Sequence, residues 1–241
     1  MSAKYPRTFH VPWSKGATND DKIAHDISSL INVPLIITEK CDGSNTSLEA
    51  NGCFARTHSG SPTHASFDGL KALHARVRHL IPTNIQIFGE WCYALHSIAY
   101  ETLPSYFLMF GIRELHGEHP FWYSWEEMQE WAAELEISTV PLLWEGTVSS
   151  EKELKTLTAE LTAQPSCFGP TREGLVIRVR DVIDDDCFSK YVMKLVRKDH
   201  VQTTEHWKNQ EIVKNQLCLH GYNDKCGGGF ECYTCGMLNP N

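Results

Sequence analysis

Val33-Pro34-Leu35-Ile36-Ile37-Thr38-Glu39-Lys40-Cys41-Asp42-Gly43-Ser44-Asn45 is the stretch that decides how this chain folds. Its first half is a short apolar run, which reads as a buried strand. Its second half is built from Asp, Gly, Ser and Asn, the residues of tight turns. Lys40 therefore stands at the end of a buried strand, just before a turn. A desolvated amine can lose its proton near neutral pH and act as a nucleophile. The expectation is that Lys40 attacks a phosphate.

Working outward, Asn51-Gly52 lies between Ser47–Ala50 and Cys53–Thr57, a strong short-range hairpin signal. Lys40 thus precedes a β-hairpin. Further strands are expected at Ile85–Trp91, Tyr106–Arg113, Val140–Leu143, Gly174–Arg180 and Tyr191–Arg197. Helical spacing marks Ile23–Ile31 and Phe67–Leu80, the latter through Leu70, Leu73, Val77 and Leu80. Ser124 with Glu127 forms a capping-box signature for a helix to about Leu135. Another helix is expected at Ser150–Thr162, with Ser149 as an alternative cap. Strands and helices do not alternate strictly, which points to α+β with antiparallel sheets.

Composition bounds the rest. The 241 residues suffice for one large domain or two small ones, and 41% apolar residues with seven tryptophans sustain a core. No run reaches the roughly 18 apolar residues of a membrane span. The N-terminus has no apolar signal segment. A soluble intracellular protein, cytoplasmic by default, and a monomer are expected. Several of the nine cysteines, Cys41, Cys53 and Cys92 among them, fall in core segments, where reduced thiols are expected. The net charge of −8 argues mildly against nucleic acid. Charge is local, however: Trp122–Glu160 and Asp181–Asp186 are acidic, whereas Lys71–His79 and Lys190–Lys198 are basic. Composition shifts near Asn215, so residues 1–216 read as the catalytic domain and 217–241 as a Cys/Gly-rich tail. The tail holds Cys218, His220, Cys226, Cys232 and Cys235. Its plain reading is a flexible segment with reduced thiols, and a structural zinc site is the alternative.

Four further motifs follow Lys40 in order: Phe88-Gly89-Glu90-Trp91, the aromatic-rich Tyr106–Ile112, Glu173-Gly174-Leu175-Val176-Ile177-Arg178, and Tyr191–Arg197 with Lys194 at its centre. Together they resemble the covalent nucleotidyltransferases, which include ATP-dependent polynucleotide ligases and mRNA capping enzymes. Lys4–Thr18, Ala94–Tyr100 and His200–Trp207 look like the small RNA ligases related to phage RNA ligase 2. The resemblance covers roughly residues 4 to 216. It implies an α+β nucleotidyltransferase fold of the ATP-grasp-like ligase adenylation type, with two antiparallel sheets forming an ATP cleft. It implies an ATP-dependent RNA ligase that joins RNA 5′-phosphate and 3′-hydroxyl ends through a covalent lysyl-AMP.

The resemblance also implies roles. Lys40 would attack the α-phosphorus of ATP, and Lys194 would bind the α-phosphate. Glu39 would face the adenine, and Phe110 would stack on it, with Phe107 as the competing choice. Asn45 and Arg56 would meet the ribose or the RNA end. Asp42, Glu90 and Glu173 would gather around a hydrated Mg²⁺ (or Mn²⁺), an ion that prefers oxygen and keeps its waters. His58, His64, His74 and His79 could touch RNA phosphates. Many relatives carry a second lysine two residues from the Lys194 position. This chain has Val192 and Val196 there, leaving Arg197 or Lys190 as replacements. The same lysine chemistry would serve a DNA ligase, a capping guanylyltransferase or a protein-modifying AMP transferase. A non-catalytic RNA- or zinc-binding module is the remaining alternative.

Overall fold

The computed structural model describes residues 4–56, 60–115, 117, 119–198, 212–218, 230–231 and 238–239. In chain order the elements begin with β1 (Phe9–His10), β2 (Pro34–Lys40), β3 (Ser44–Glu49), β4 (Gly52–Ala55), α1 (Asp68–Val77), β5 (Ile85–Trp91) and β6 (Phe107–Glu114). They continue with β7 (Phe121–Trp122), α2 (Trp125–Glu134), β8 (Leu142–Thr147), α3 (Glu151–Ala163) and β9 (Gly174–Val179). The last are β10 (Ile183–Asp184), α4 (Phe188–Tyr191), β11 (Val192–Val196), β12 (Phe230–Glu231) and β13 (Leu238–Asn239).

Local chemistry explains most of these boundaries. Ser124 and Glu127 close a full capping box on α2. Ser150 caps α3, while the Glu153 carboxylate accepts from the N–H and hydroxyl of Ser149, at 2.8 and 2.7 Å. The Asn51-Gly52 hairpin joins β3 to β4 as expected. Two expectations fail for tertiary reasons. Ile23–Ile31 forms only a 3-10 turn at Ser28–Leu30. Its backbone is engaged elsewhere: the Ala24 N–H donates to His10 O at 2.8 Å. The strand expected at Val140–Leu143 begins instead at Leu142, because the Val140 N–H donates to Met109 O and Pro141 O accepts from Glu39 N. The helix expected at His200–Asn215 lies mostly outside the described residues, and Lys214 forms a β-bridge with Ala94.

Two sheets build the molecule. One has the order β1-β11-β9-β2-β8 and the other β10-β7-β6-β5-β3-β4. Pairing is antiparallel except between β1 and β11, which run parallel. Helices α1 and α2 pack on the second sheet through Leu70, Val77, Trp125 and Met128. Helix α3 joins the core of the first sheet through Leu154 and Leu161. Phe110 touches both cores.

Two glycines are required by close approach. A Cβ on Gly174 would sit 2.0 Å from Leu195 O, and one on Gly43 would sit 2.7 Å from Trp91 O. Both lie in motifs flanking Lys40, so those motifs encode backbone proximity as well as chemistry.

Candidate active site

A cavity of about 1400 Å³ opens between the sheets. Strand alternation decides what faces it. On the first sheet Thr38 and Lys40 of β2, Val176 and Arg178 of β9, and Val192 and Lys194 of β11 line the wall. Their neighbours Ile37, Leu175, Ile177 and Leu195 are buried in the core. The second sheet contributes Asn45, Glu90 and Phe110, with Arg56 just beyond β4.

Lys40 is the centre of charge. Its Nζ donates to both oxygens of Glu173, each at 2.7 Å. Burial pulls its pKa down, but Glu173, Glu90 and Asp42 outweigh burial and raise it above the ordinary lysine value. The expectation of an amine neutralised by desolvation is therefore corrected: unliganded, Lys40 is an ammonium. Glu90 lines the cavity opposite Asn45 and accepts the Gly43 N–H at 3.1 Å. Burial pushes its carboxyl up to about 8, aided by Glu173 and Asp42 and opposed by Lys40 and the Gly43 N–H.

The three expected metal carboxylates are not equivalent. Glu173 lies beneath Lys40 rather than on the wall. Asp42 Oδ2 accepts the N–H groups of Ser97 and Ile98, at 2.6 and 2.9 Å, and its own N–H donates to Tyr100 Oη at 2.7 Å. Asp42 thus anchors the loop carrying His96, whose Nδ1 lies 4.0 Å from Asp42 Oδ1. Among the described residues no three His, Cys, Asp or Glu side chains form a direct metal-ligand cluster. The donor set at Glu90 and Glu173 is all carboxylate oxygen, which suits a hard cation held through water. Asp42, with Oδ2 engaged by two N–H groups, is withdrawn from that set.

Glu39 is also corrected. Its carboxylate is fully enclosed and points away from the cavity, accepting from the Ser166 hydroxyl, the Cys167 N–H at 2.8 Å and Arg172 Nε at 3.4 Å. One residue along a strand reverses the face, so Lys40 and Glu39 cannot serve the same pocket with their side chains.

The remaining candidates meet the cavity. Asn45 Oδ1 is buried there with no hydrogen-bond partner, an acceptor awaiting a donor. Phe110 presents part of its ring, with Tyr5 edge-on at 5.1 Å. Phe107 is buried on the other face, against Gly89. Lys194 Nζ lies 3.2 Å from Asp21 Oδ1. Burial and the Lys40 charge lower its pKa against the pull of Asp21. His64 lines the cavity, whereas His74 donates to Glu49 O at 2.7 Å. His58, His220, Cys226, Cys232 and Cys235 lie outside the described residues.

Several residues of the wall carried no role in the sequence reading. Tyr5 sits among Phe88, Phe110, Trp122 and Phe188, with centroids 5.1–5.3 Å away. Arg178 is buried, with Nε and Nη2 donating to Val179 O and Tyr123 O at 3.0 and 2.7 Å. Burial lowers its pKa to about 10. Arg7, Asp21 and His96 complete the group. All five occur inside the quoted motifs, but nothing local says which way they point.

Two sheets with a cleft between them, and a lysine at the end of the first, define the nucleotidyltransferase class of fold. The RNA ligase family model matches residues 33–196, and the chain belongs to that family. Among solved structures, a Naegleria gruberi RNA ligase mutant with ATP and Mn is 16% identical with a TM-score of 0.52, over 73% of this chain and 53% of that one. Another mutant of that ligase, in apo form, is 16% identical with a TM-score of 0.53, over 86% and 60%. An archaeal ATP-dependent RNA ligase is 15% identical with a TM-score of 0.51, over 80% and 48%. These identities speak to the fold, and the chain spans about half the length of these structures. No curated protein matches the sequence.

Proposed function

We propose that this chain is an ATP-dependent RNA ligase that works through a covalent Lys40–AMP. The observation that carries the reading is Lys40 itself: a buried ammonium on a cavity wall, paired with Glu173 and facing Glu90, in a chain of the RNA ligase family.

The steps balance as follows. Lys40 must first lose its proton, and Glu173 is the acceptor in hydrogen-bond contact. The Nζ–P bond then forms at the α-phosphorus as the bond to the β-phosphate breaks, and pyrophosphate leaves. An RNA 5′-phosphate next takes the AMP, and Lys40 is released. Finally a 3′-hydroxyl attacks the activated 5′-phosphorus, the phosphodiester forms and AMP departs. Phosphoryl transfer depends on positioning and charge neutralisation more than on covalent chemistry by the protein. Lys194 supplies charge at the α-phosphate, Phe110 a face for adenine, and Asn45 and Arg56 contacts to the sugar or the RNA end. Mg²⁺ or Mn²⁺ at Glu90 and Glu173 would favour the neutral Lys40 amine and offset phosphate charge.

RNA ends are the substrates of this reading. An intracellular setting agrees with the six free cysteines among the described residues. Among those residues no helix is long and apolar enough to cross a membrane.

Incubation with α-labelled ATP and Mg²⁺, followed by denaturing electrophoresis, tests the proposal. The wild type should retain label and Lys40→Ala should not. Label persisting on Lys40→Ala would sink it. Sealing of nicked DNA in preference to RNA would instead favour a DNA ligase.

A further inference from the structure

Attack on ATP expels pyrophosphate, a highly charged leaving group, and one lysine on β11 is little to meet it. Neither Lys190 nor Arg197 lines the cavity, and Val192, two residues from Lys194 on the same face, is buried and apolar. Arg178 lines the cavity, but its guanidinium is engaged by two backbone carbonyls. Arg56 belongs to the opposite sheet. The strand bearing Lys194 therefore lacks its second cation.

The N-terminal strap brings one. Because β1 runs beside β11, with His10 opposite Lys194, the residues before β1 and the turn at Thr18–Asp21 pass the same end of the cavity. Arg7 lines the cavity and donates from Nη2 to Asp20 O. Lys194 donates to the carboxylate of the next residue, Asp21. Consecutive Cα atoms are about 3.8 Å apart, so the two cations are carried by adjoining residues. Asp21 is itself fixed, its Oδ2 accepting from the Thr18 N–H and hydroxyl at 3.0 and 2.9 Å. Arg7 is exposed and has further N–H donors in a planar fork suited to phosphate. The strap precedes residues 33–196, the span matched by the family.

We infer that Arg7 is the second phosphate-binding cation of this site and engages the β- and γ-phosphates of ATP. The inference rests on the ligase reading of the cavity. It explains how β11 can carry valine on both sides of Lys194: the charge comes from a neighbouring element. Arg7 contacts the leaving pyrophosphate, so it acts in Lys40 adenylylation and has no task once AMP is on the lysine or the RNA.

That confinement to one step makes a selective test. Binding of ATP and of AMP to the full chain is compared for wild type, Arg7→Ala and Arg7→Lys, alongside sealing of pre-adenylylated RNA. Loss of charged hydrogen bonds should weaken ATP binding about 10- to 100-fold in Arg7→Ala. AMP binding and sealing of pre-adenylylated RNA should hold, and Arg7→Lys should fall between. Equal weakening of ATP and AMP, or unchanged ATP binding, overturns the inference. A wild type that binds ATP more tightly than Arg7→Ala does, yet takes no label on Lys40, overturns the ligase reading while upholding Arg7 as a triphosphate contact.

Discussion

At the scale of single residues, charge placement governs this site more than burial alone. Lys40 and Lys194 share one cavity face yet shift oppositely, because Lys40 touches two carboxylate oxygens of Glu173 and lies near Glu90 and Asp42, whereas burial prevails at Lys194. His10 shows the same competition. It is 1% exposed, with Nδ1 2.7 Å from Ser14 Oγ and Nε2 3.2 Å from Asp21 Oδ1. Burial and the Lys194 charge hold its pKa below the usual value of 6.5, against Asp21. In the pH range below 6.5 the unfolded chain takes up a proton that the folded protein refuses, so stability is lost as pH falls. Thermal melts between pH 8 and pH 5.5 should show that loss in the wild type, and a smaller one in His10→Asn. Parallel profiles would remove His10 as the cause. The identity of the nucleophile was legible because Lys40 sits in a strand-to-turn motif with local meaning. Its ionisation was not, because Glu173 is distant in sequence and meets Lys40 only through the β2–β9 pairing.

Among the elements, β9 and β11 carry the greatest constraint. Gly174 sits where any side chain meets the Leu195 carbonyl, and the same pairing sets Glu173 beneath Lys40 and Lys194 beside Val176. Gly174→Ala should lower stability by about 1–3 kcal/mol or more in urea titrations, since the two strands must part. Gly111→Ala is the contrast. Its Cβ would meet Trp122 at 3.6 Å, an ordinary contact, and the midpoint should stay near wild type. A Gly174→Ala protein as stable as Gly111→Ala would refute the close-approach argument. Most strands and helices were readable from local signals: the Asn51-Gly52 turn, the Ser124–Glu127 box, and the apolar runs of β2, β5 and β9. What misled were segments whose backbone bonds go to distant partners. Ile23–Ile31 has helical spacing but gives up its N–H groups to β1, and the two-residue β1 has no pattern of its own.

The molecule as a whole closes its site with segments far apart in the chain. The strap lays Asp21 on Lys194, and residues 212–218 clamp the loop that follows β5. Asn215 Nδ2 donates to Cys92 O at 2.9 Å, and its Oδ1 accepts the Tyr100 N–H at 2.9 Å. Backbone bonding to this loop continues to Cys218, past the boundary expected at residue 216. Asn215→Ala should cost about 1–3 kcal/mol by leaving buried backbone groups unpaired. Hydrogen exchange should then quicken at the Ser97 and Ile98 amides, which Asp42 holds. Unchanged exchange there would show that the clamp and the Asp42 anchor are independent. The sequence by itself determined the nucleophile, the succession of strands and the family, because each rests on residues adjacent in the chain. Only the tertiary structure decided that Glu39 turns away from the pocket, that Asp42 anchors a loop, and that Arg7 comes to lie beside Lys194. Those outcomes depend on which face of a strand is buried and on which distant carbonyl or carboxylate it meets, and neither is written in local order.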